Sequence, residues 1–305
     1  MKLPALLAAC CLLLSTWAGA QTADYQHIAL QRFPDLATVN LDSLPKGKPL
    51  YLKFWASWCK PCMAQMPHFE HAYQQYHDRI NVLALDININ ERKAAIQRVI
   101  QRFGLTVPVW LDQDGALGVA LGLVGTPYHV LIDAKGQVVY TSHEADAELD
   151  RHLALLADGK ASPAADTGAL SASQSQALLK PWLHGRHLLF FTATWCDWYL
   201  ADTRPAMSQR CIKVQKGLAA LHQKLAGQPW QGFVNHLWTT QDDVSKFEQQ
   251  YQMPIPFAID TQGVLFNHFA IRELPTLLLL EDGKVKARIT DFDSPEAIAA
   301  QISAR

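Results

Sequence analysis

The chain repeats itself, and this restricts its fold more than any other feature. Phe54-Trp55-Ala56-Ser57-Trp58-Cys59 returns as Phe191-Thr192-Ala193-Thr194-Trp195-Cys196. Val107-Pro108-Val109-Trp110-Leu111-Asp112-Gln113-Asp114-Gly115 returns as Ile255-Pro256-Phe257-Ala258-Ile259-Asp260-Thr261-Gln262-Gly263. Twelve positions then lead to Pro127 in the first copy and to Pro275 in the second. Each proline is followed by an apolar strand, a turn and a second strand, so one supersecondary unit is used twice.

Within the first copy, Leu50 to Trp55 is a short apolar run suited to a buried central strand. Cys62, Met66, Phe69, Tyr73 and Tyr76 follow at helical spacing, with Pro67 expected to kink that helix. Strands over 82–85 and 107–111, a helix over 91–103, a hairpin over 128–141 and a helix over 144–156 complete the unit. Alternating strands and helices that end in a hairpin predict an α/β fold, a mixed sheet covered on both faces.

Four segments are expected. Residues 1–20 carry Lys2, an apolar run over 3–14 and Ala18-Gly19-Ala20, the pattern of a cleaved secretory signal peptide. Leu7-Ala8-Ala9-Cys10 also fits a lipidation box, but the apolar stretch before Cys10 is too short and continues beyond it. The first unit spans 27–158, an Ala/Ser-rich linker 159–176, and the second unit 177–305. A net charge of -1 excludes a basic nucleic-acid-binding surface as the organising feature. After cleavage no apolar run is long enough to span a membrane.

Of six cysteines, Cys59, Cys62, Cys196 and Cys211 remain in the mature chain. An exported protein lives where disulfides form, and no second CxxC or paired-histidine spacing suggests a structural zinc. Cys59 stands just before a helix, where unpaired backbone N–H groups and the helix dipole favour its thiolate. Cys62, one turn on, is placed to resolve a mixed disulfide, and Pro61 suits the first turn. This is a catalytic dithiol in a strand–CxxC–helix setting.

The run from Phe54 to Cys62, then Gln65-Met66-Pro67, then Gly125-Thr126-Pro127, resembles the TlpA/ResA branch of the thioredoxin superfamily, over about residues 33–158. Taken with the repeat, the resemblance implies two tandem thioredoxin-like folds, the second lacking the CxxC. It also implies a cis proline at Pro127 and a substrate-binding wall formed by Trp58, Thr126 and Pro127. It further implies disulfide-bearing client proteins in the periplasm, a membrane thiol donor of the DsbD type and no bound cofactor. Thr126 before the proline leans toward a reductase. Lys53 stands where thioredoxin has a buried aspartate; it is a candidate for proton transfer or thiolate stabilisation. The alternative is a lysine whose stem packs at the strand end with its head in water.

The second copy departs from the pattern. Tyr199 takes the resolving position and Phe190 stands in the place of Lys53. From Cys59 to Val82 is 23 positions, whereas from Cys196 to Phe233 is 37, and Cys211 lies in the added length. A straight helix would separate Cys196 and Cys211 by about 22 Å. Pro205 can turn the segment back, so a Cys196–Cys211 disulfide, structural or redox-active, is expected. Met63, Met66, His68 and His71 raise a copper-delivery reading, against which Met66 reads as core; no metal site is expected. Thr192 beside Cys196 lacks a peroxidatic setting. The tryptophans of the second copy, Trp238 among them, read as core rather than a binding stripe. A rival to the enzyme is a client-binding protein with the second copy as docking module.

Overall fold

The computed structural model describes residues 25–160 and 163–304, so the leader with Cys10 and Cys11 lies outside the described residues. The first half runs β1 (Leu30–Arg32), β2 (Thr38–Val39), β3 (Leu50–Trp55), α1 (Lys60–Tyr76), β4 (Asn81–Asp86), α2 (Lys93–Phe103) and β5 (Val109–Leu111). It continues through α3 (Ala116–Ala120), β6 (Tyr128–Ile132), β7 (Val138–Ser142) and α4 (Ala147–Ala157). Then come α5 (Ala172–Leu179), β8 (Arg186–Thr192), α6 (Pro205–Lys224), β9 (Trp230–Val234), α7 (Gln241–Tyr251) and β10 (Phe257–Ile259). The chain closes with α8 (Val264–His268), β11 (Thr276–Glu281), β12 (Lys284–Ile289) and α9 (Pro295–Ser303).

Two mixed sheets result, in the orders β2-β1-β5-β4-β3-β6-β7 and β10-β9-β8-β11-β12. In each, the strand preceding the shared Trp-Cys is an inner strand, third from the edge formed by β7 or β12. β3 is parallel to β4 and antiparallel to β6, and β8 relates to β9 and β11 in the same way. Every residue of β3 is buried, as an unbroken apolar run between two neighbours and two layers of helix requires. The repeat is kept in its polar details too. Asp112 accepts from the N–H groups of Leu117 and Gly118, and Asp260 from those of Leu265 and Phe266, each carboxylate seating the short helix that follows.

Helix α1 runs through Pro67 without interruption. The β1–β2 hairpin pairs onto β5 and was not foreseen, since strands of two and three residues carry no readable period. Helix α5 begins inside the stretch expected to be linker; Ser171 and Gln174 form a capping box at its start. In the second half β9 starts at Trp230, three residues before the apolar Phe233, with Gln231 and Gly232 masking its start in the sequence. The apolar core of the first half continues into one face of the second sheet, through Trp58, Trp195, Phe191 and Leu278. Leu188, Phe190, Leu277 and Leu279 face a separate cluster on the other side.

Candidate active site

β3 delivers the chain to Cys59, which is the N-cap of α1; its sulfur accepts from the backbone N–H of Cys62 at 3.1 Å. The two cysteines are disulfide-bonded, with Cα atoms 5.2 Å apart. Ser57 is held before the pair by Glu91, which accepts from its backbone N–H at 2.7 Å and from its hydroxyl. Trp58 donates from its indole to the Ile89 carbonyl. The Thr126–Pro127 peptide is cis, as the resemblance implied, and His143 donates to the Pro127 carbonyl at 2.6 Å.

Behind the dithiol, Lys53 is fully buried, so the reading that leaves its ammonium in water is wrong. β3 lies between β4 and β6, and every one of its residues is buried. Its Nζ donates to Gln65 Oε1 at 2.8 Å and lies 5.6 Å from the centre of the Phe69 ring. Burial pushes the Lys53 ammonium down to about 7. The partner across the sheet is His129, whose Nε2 reaches the same Gln65 oxygen at 2.9 Å while Tyr51 meets its Nδ1 at 2.7 Å. Burial, and then the charge of Lys53, hold His129 well below the usual imidazole range. A neutral His129 satisfies both contacts, with Nε2–H donating to Gln65 and Nδ1 accepting from Tyr51. Gln65 in turn donates to the His143 carbonyl, so Lys53, Gln65 and His143 form a chain from β3 to Pro127.

The feature that sequence reasoning missed is what covers the dithiol. Cys59 is 1% exposed and Cys62 is fully buried. The cover is the second half. Trp195 stacks on Trp58 with ring centroids 5.1 Å apart, and Tyr199, in the resolving position of the second copy, meets Trp58 edge-on. The Tyr199 hydroxyl accepts from the N–H of Lys60 at 3.1 Å, Lys60 pairs with Asp202, and Arg204 donates to the Ser57 hydroxyl. Trp238 is correspondingly not core: it is 57% exposed, and Trp198 65%. The indole of Trp238 donates to the Thr126 carbonyl at 3.0 Å. Aromatic residues at a domain boundary carry no periodic signal that would separate them from core.

Between the halves, Trp58, Pro61, Thr126, Trp195, Tyr199 and Trp238 line an apolar slot of about 200 Å³. Trp58 also borders a cleft of about 770 Å³ whose rim carries Lys60, Arg98, Arg102 and Arg204.

Cys196 does not repeat the geometry of Cys59. Turns follow it through Thr203, and α6 starts only at Pro205, so no helix begins at its sulfur. Cys196 is bonded to Cys211 in α6, with Cα atoms 6.1 Å apart and both residues fully buried. The Thr192 hydroxyl lies 3.8 Å from the Cys196 sulfur. The copper reading finds no cluster: Met66 is in the core, His68 pairs with Asp150 and His71 is exposed. Among the described residues no group of three or more His, Cys, Asp or Glu is placed to hold a metal.

Residues 24–154 match the Redoxin family. The chain is 34% identical over 110 residues to the thiol-disulfide oxidoreductase ResA of Geobacillus kaustophilus, covering 35% of this chain and 63% of that protein. The first half is a TlpA/ResA-like thioredoxin-superfamily domain. A second ResA, from Bacillus thuringiensis, is 34% identical to the chain over 95 residues, 31% of this chain and 54% of that protein. The chain thus spans less than two thirds of either relative. Among solved structures, StoA from Bacillus subtilis overlaps 41% of this chain and 94% of its own, at 23% identity and a TM-score of 0.36. Within the TlpA/ResA-like domain, the matched segment contains the CxxC, Lys53 and the cis Thr126–Pro127 peptide.

Proposed function

We propose that this protein is a thiol–disulfide oxidoreductase acting in the periplasm, reducing disulfides of client proteins through Cys59 and Cys62. The observation that carries the reading is the Cys59–Cys62 pair at the start of α1, whose intervening Pro61 lines one slot with Thr126 of the cis Thr126–Pro127 peptide. In the reduced form the Cys59 thiolate attacks one sulfur of a client disulfide, and the client's other sulfur leaves as a thiolate that takes up a proton. Cys62, after losing its proton, then attacks the Cys59 sulfur, releasing the second client thiol and forming the Cys59–Cys62 disulfide. A membrane dithiol donor of the DsbD type restores the pair by the reverse exchange, so two electrons pass from donor to client with no bound cofactor.

Each step has a supporting feature in this chain. Helix α1 aims the backbone N–H of Cys62 and the positive end of its dipole at the Cys59 sulfur, favouring the anion that attacks and later leaves. Lys53, poised near neutrality through Gln65, suits a buried group that holds or releases a proton while Cys62 reacts. Trp58, Thr126 and Pro127 form the wall against which a client segment lies. The leader and the export route it implies fit a compartment where disulfides form. Among the described residues no helix is long and apolar enough to cross a membrane.

Catalytic amounts of the protein should accelerate the precipitation of insulin by dithiothreitol. Cys59→Ser should abolish the effect, and Cys62→Ser should accumulate a mixed disulfide with insulin visible by mass spectrometry. No acceleration by the wild type at any pH from 6 to 8 would contradict the reading.

A further inference from the structure

The two halves meet through reciprocal contacts. Trp58 and Trp195 donate to the carbonyls of Ile89 and Leu237, so Asn90 and Trp238, the next residues, hold equivalent places in the repeat. Thr126 and Leu274, each before a cis proline, are likewise equivalent, as are Val124 and Arg272. Asn90 donates its backbone N–H to the Arg272 carbonyl at 2.7 Å and accepts from Leu274 N–H at 2.8 Å. Trp238 donates its backbone N–H to the Val124 carbonyl at 3.1 Å and its indole N–H to the Thr126 carbonyl. Each half therefore presents its proline loop to the same corner of the other, and the Trp58–Trp195 stack lies between.

Attack on a disulfide needs a sulfur to approach along the S–S axis, and Cys59 is closed to any such approach. Its cover is not generic packing. Trp238 supplies two N–H donors to alternate carbonyls of the proline loop, those of Val124 and Thr126, and lays its ring on the intervening Gly125, where a Cβ would come within 2.3 Å of the indole. Two donors on alternate carbonyls with a ring between them are what an extended peptide with one large aromatic side chain would offer.

We infer that the dithiol face is a binding surface for an extended client segment bearing an aromatic residue beside its cysteine, and that Trp238 of the second half is the resident competitor for it. A client binds by displacing Trp238 and swinging its half from the Trp58 side, which uncovers the Cys59 sulfur. The adjoining apolar slot, walled by Trp58, Pro61, Trp195 and Tyr199, receives the client's aromatic ring. The inference rests on Cys59–Cys62 being the working dithiol, and its test separates the two.

The test reads two rates on the full chain. The first is alkylation of reduced Cys59 by iodoacetamide, followed on the peptide carrying that cysteine and taken to its plateau at high pH, so that only access is compared. Trp238→Ala should raise it about tenfold, the change expected from removing a hydrogen bond and a ring contact from a two-state closure. Gly125→Ala, which lifts the ring from the other side, should do the same, and circular dichroism establishes that each variant is folded. The second rate is reduction of short disulfide peptides with Trp or Ala beside the cysteine. The wild type should prefer the Trp peptide, and Trp238→Ala should speed both peptides by about the same factor, because removing the competitor frees the face for either. Alkylation within twofold of wild type in both variants overturns the competitor; equal rates for the two peptides overturn the aromatic client. Faster alkylation with no peptide reduction in any form leaves the competitor standing and removes the reductase.

Discussion

The indole of Trp58 lies stacked on that of Trp195, with centroids 5.1 Å apart and planes 29° from parallel. Each residue immediately precedes the cysteine of its own copy, so the repeat meets itself at the dithiol. A double-mutant cycle with Trp58→Leu and Trp195→Leu should give a coupling of about 0.5–1.5 kcal/mol in urea unfolding. Additive losses would mean that the halves do not touch through these rings in solution.

Lys53 should make stability depend on pH in a defined window. Its folded ammonium is pushed down to about 7 from an ordinary 10.5. Between those values the unfolded chain holds a proton that the folded chain has lost, so this group's contribution to stability rises with pH across the window. Below about 7 the burial cost is present in full. The difference in unfolding free energy between wild type and Lys53→Met should change by up to about 1.4 kcal/mol per pH unit from pH 7 to 10. Parallel curves for the two proteins would show that Lys53 is not charged and buried as described.

Glu91 secures the segment before Cys59 to both halves. Its buried carboxylate accepts from the Ser57 N–H and hydroxyl, and Arg204 lies 3.9 Å away. Glu91→Ala should cost about 2–3 kcal/mol, because the Ser57 N–H and the half-buried guanidinium lose their acceptor. Arg204→Ala should cost less than half as much, since Glu91 keeps both bonds to Ser57. Chemical denaturation of the two variants checks the order; a larger loss for Arg204→Ala would reverse it.

The Cys196–Cys211 bridge closes the segment that carries Tyr199, Asp202 and Arg204 onto the first half. Replacing both cysteines by serine should lower stability by about 3 kcal/mol, as expected for a loop of fifteen residues. Unfolding followed without reductant measures it. No change relative to wild type would mean that the bridge is absent in solution.

Much of this site is legible in order along the chain. The strand ending at Trp55, the helix opening after Cys59 and the proline after Thr126 are short-range patterns, set by side-chain period, helix capping and the missing N–H of proline. The repeat likewise carries its sheet order, because equivalent apolar runs seek equivalent neighbours. Lys53 shows where such reading stops. Its position in the run marked it as unusual, but whether its head met water or Gln65 depended on residues brought from β6 and α1.

What the sequence by itself determined is the repeated α/β unit, the CxxC at a strand-to-helix junction, and the departure of the second copy from that pattern. Only the tertiary structure decided that Trp195 and Tyr199 pack their rings on Trp58 of the other half, beside Cys59. The physical reason is that an aromatic side chain gains by burial against any apolar partner. The chain alone does not say whether that partner lies in the same core or in another half more than a hundred residues away.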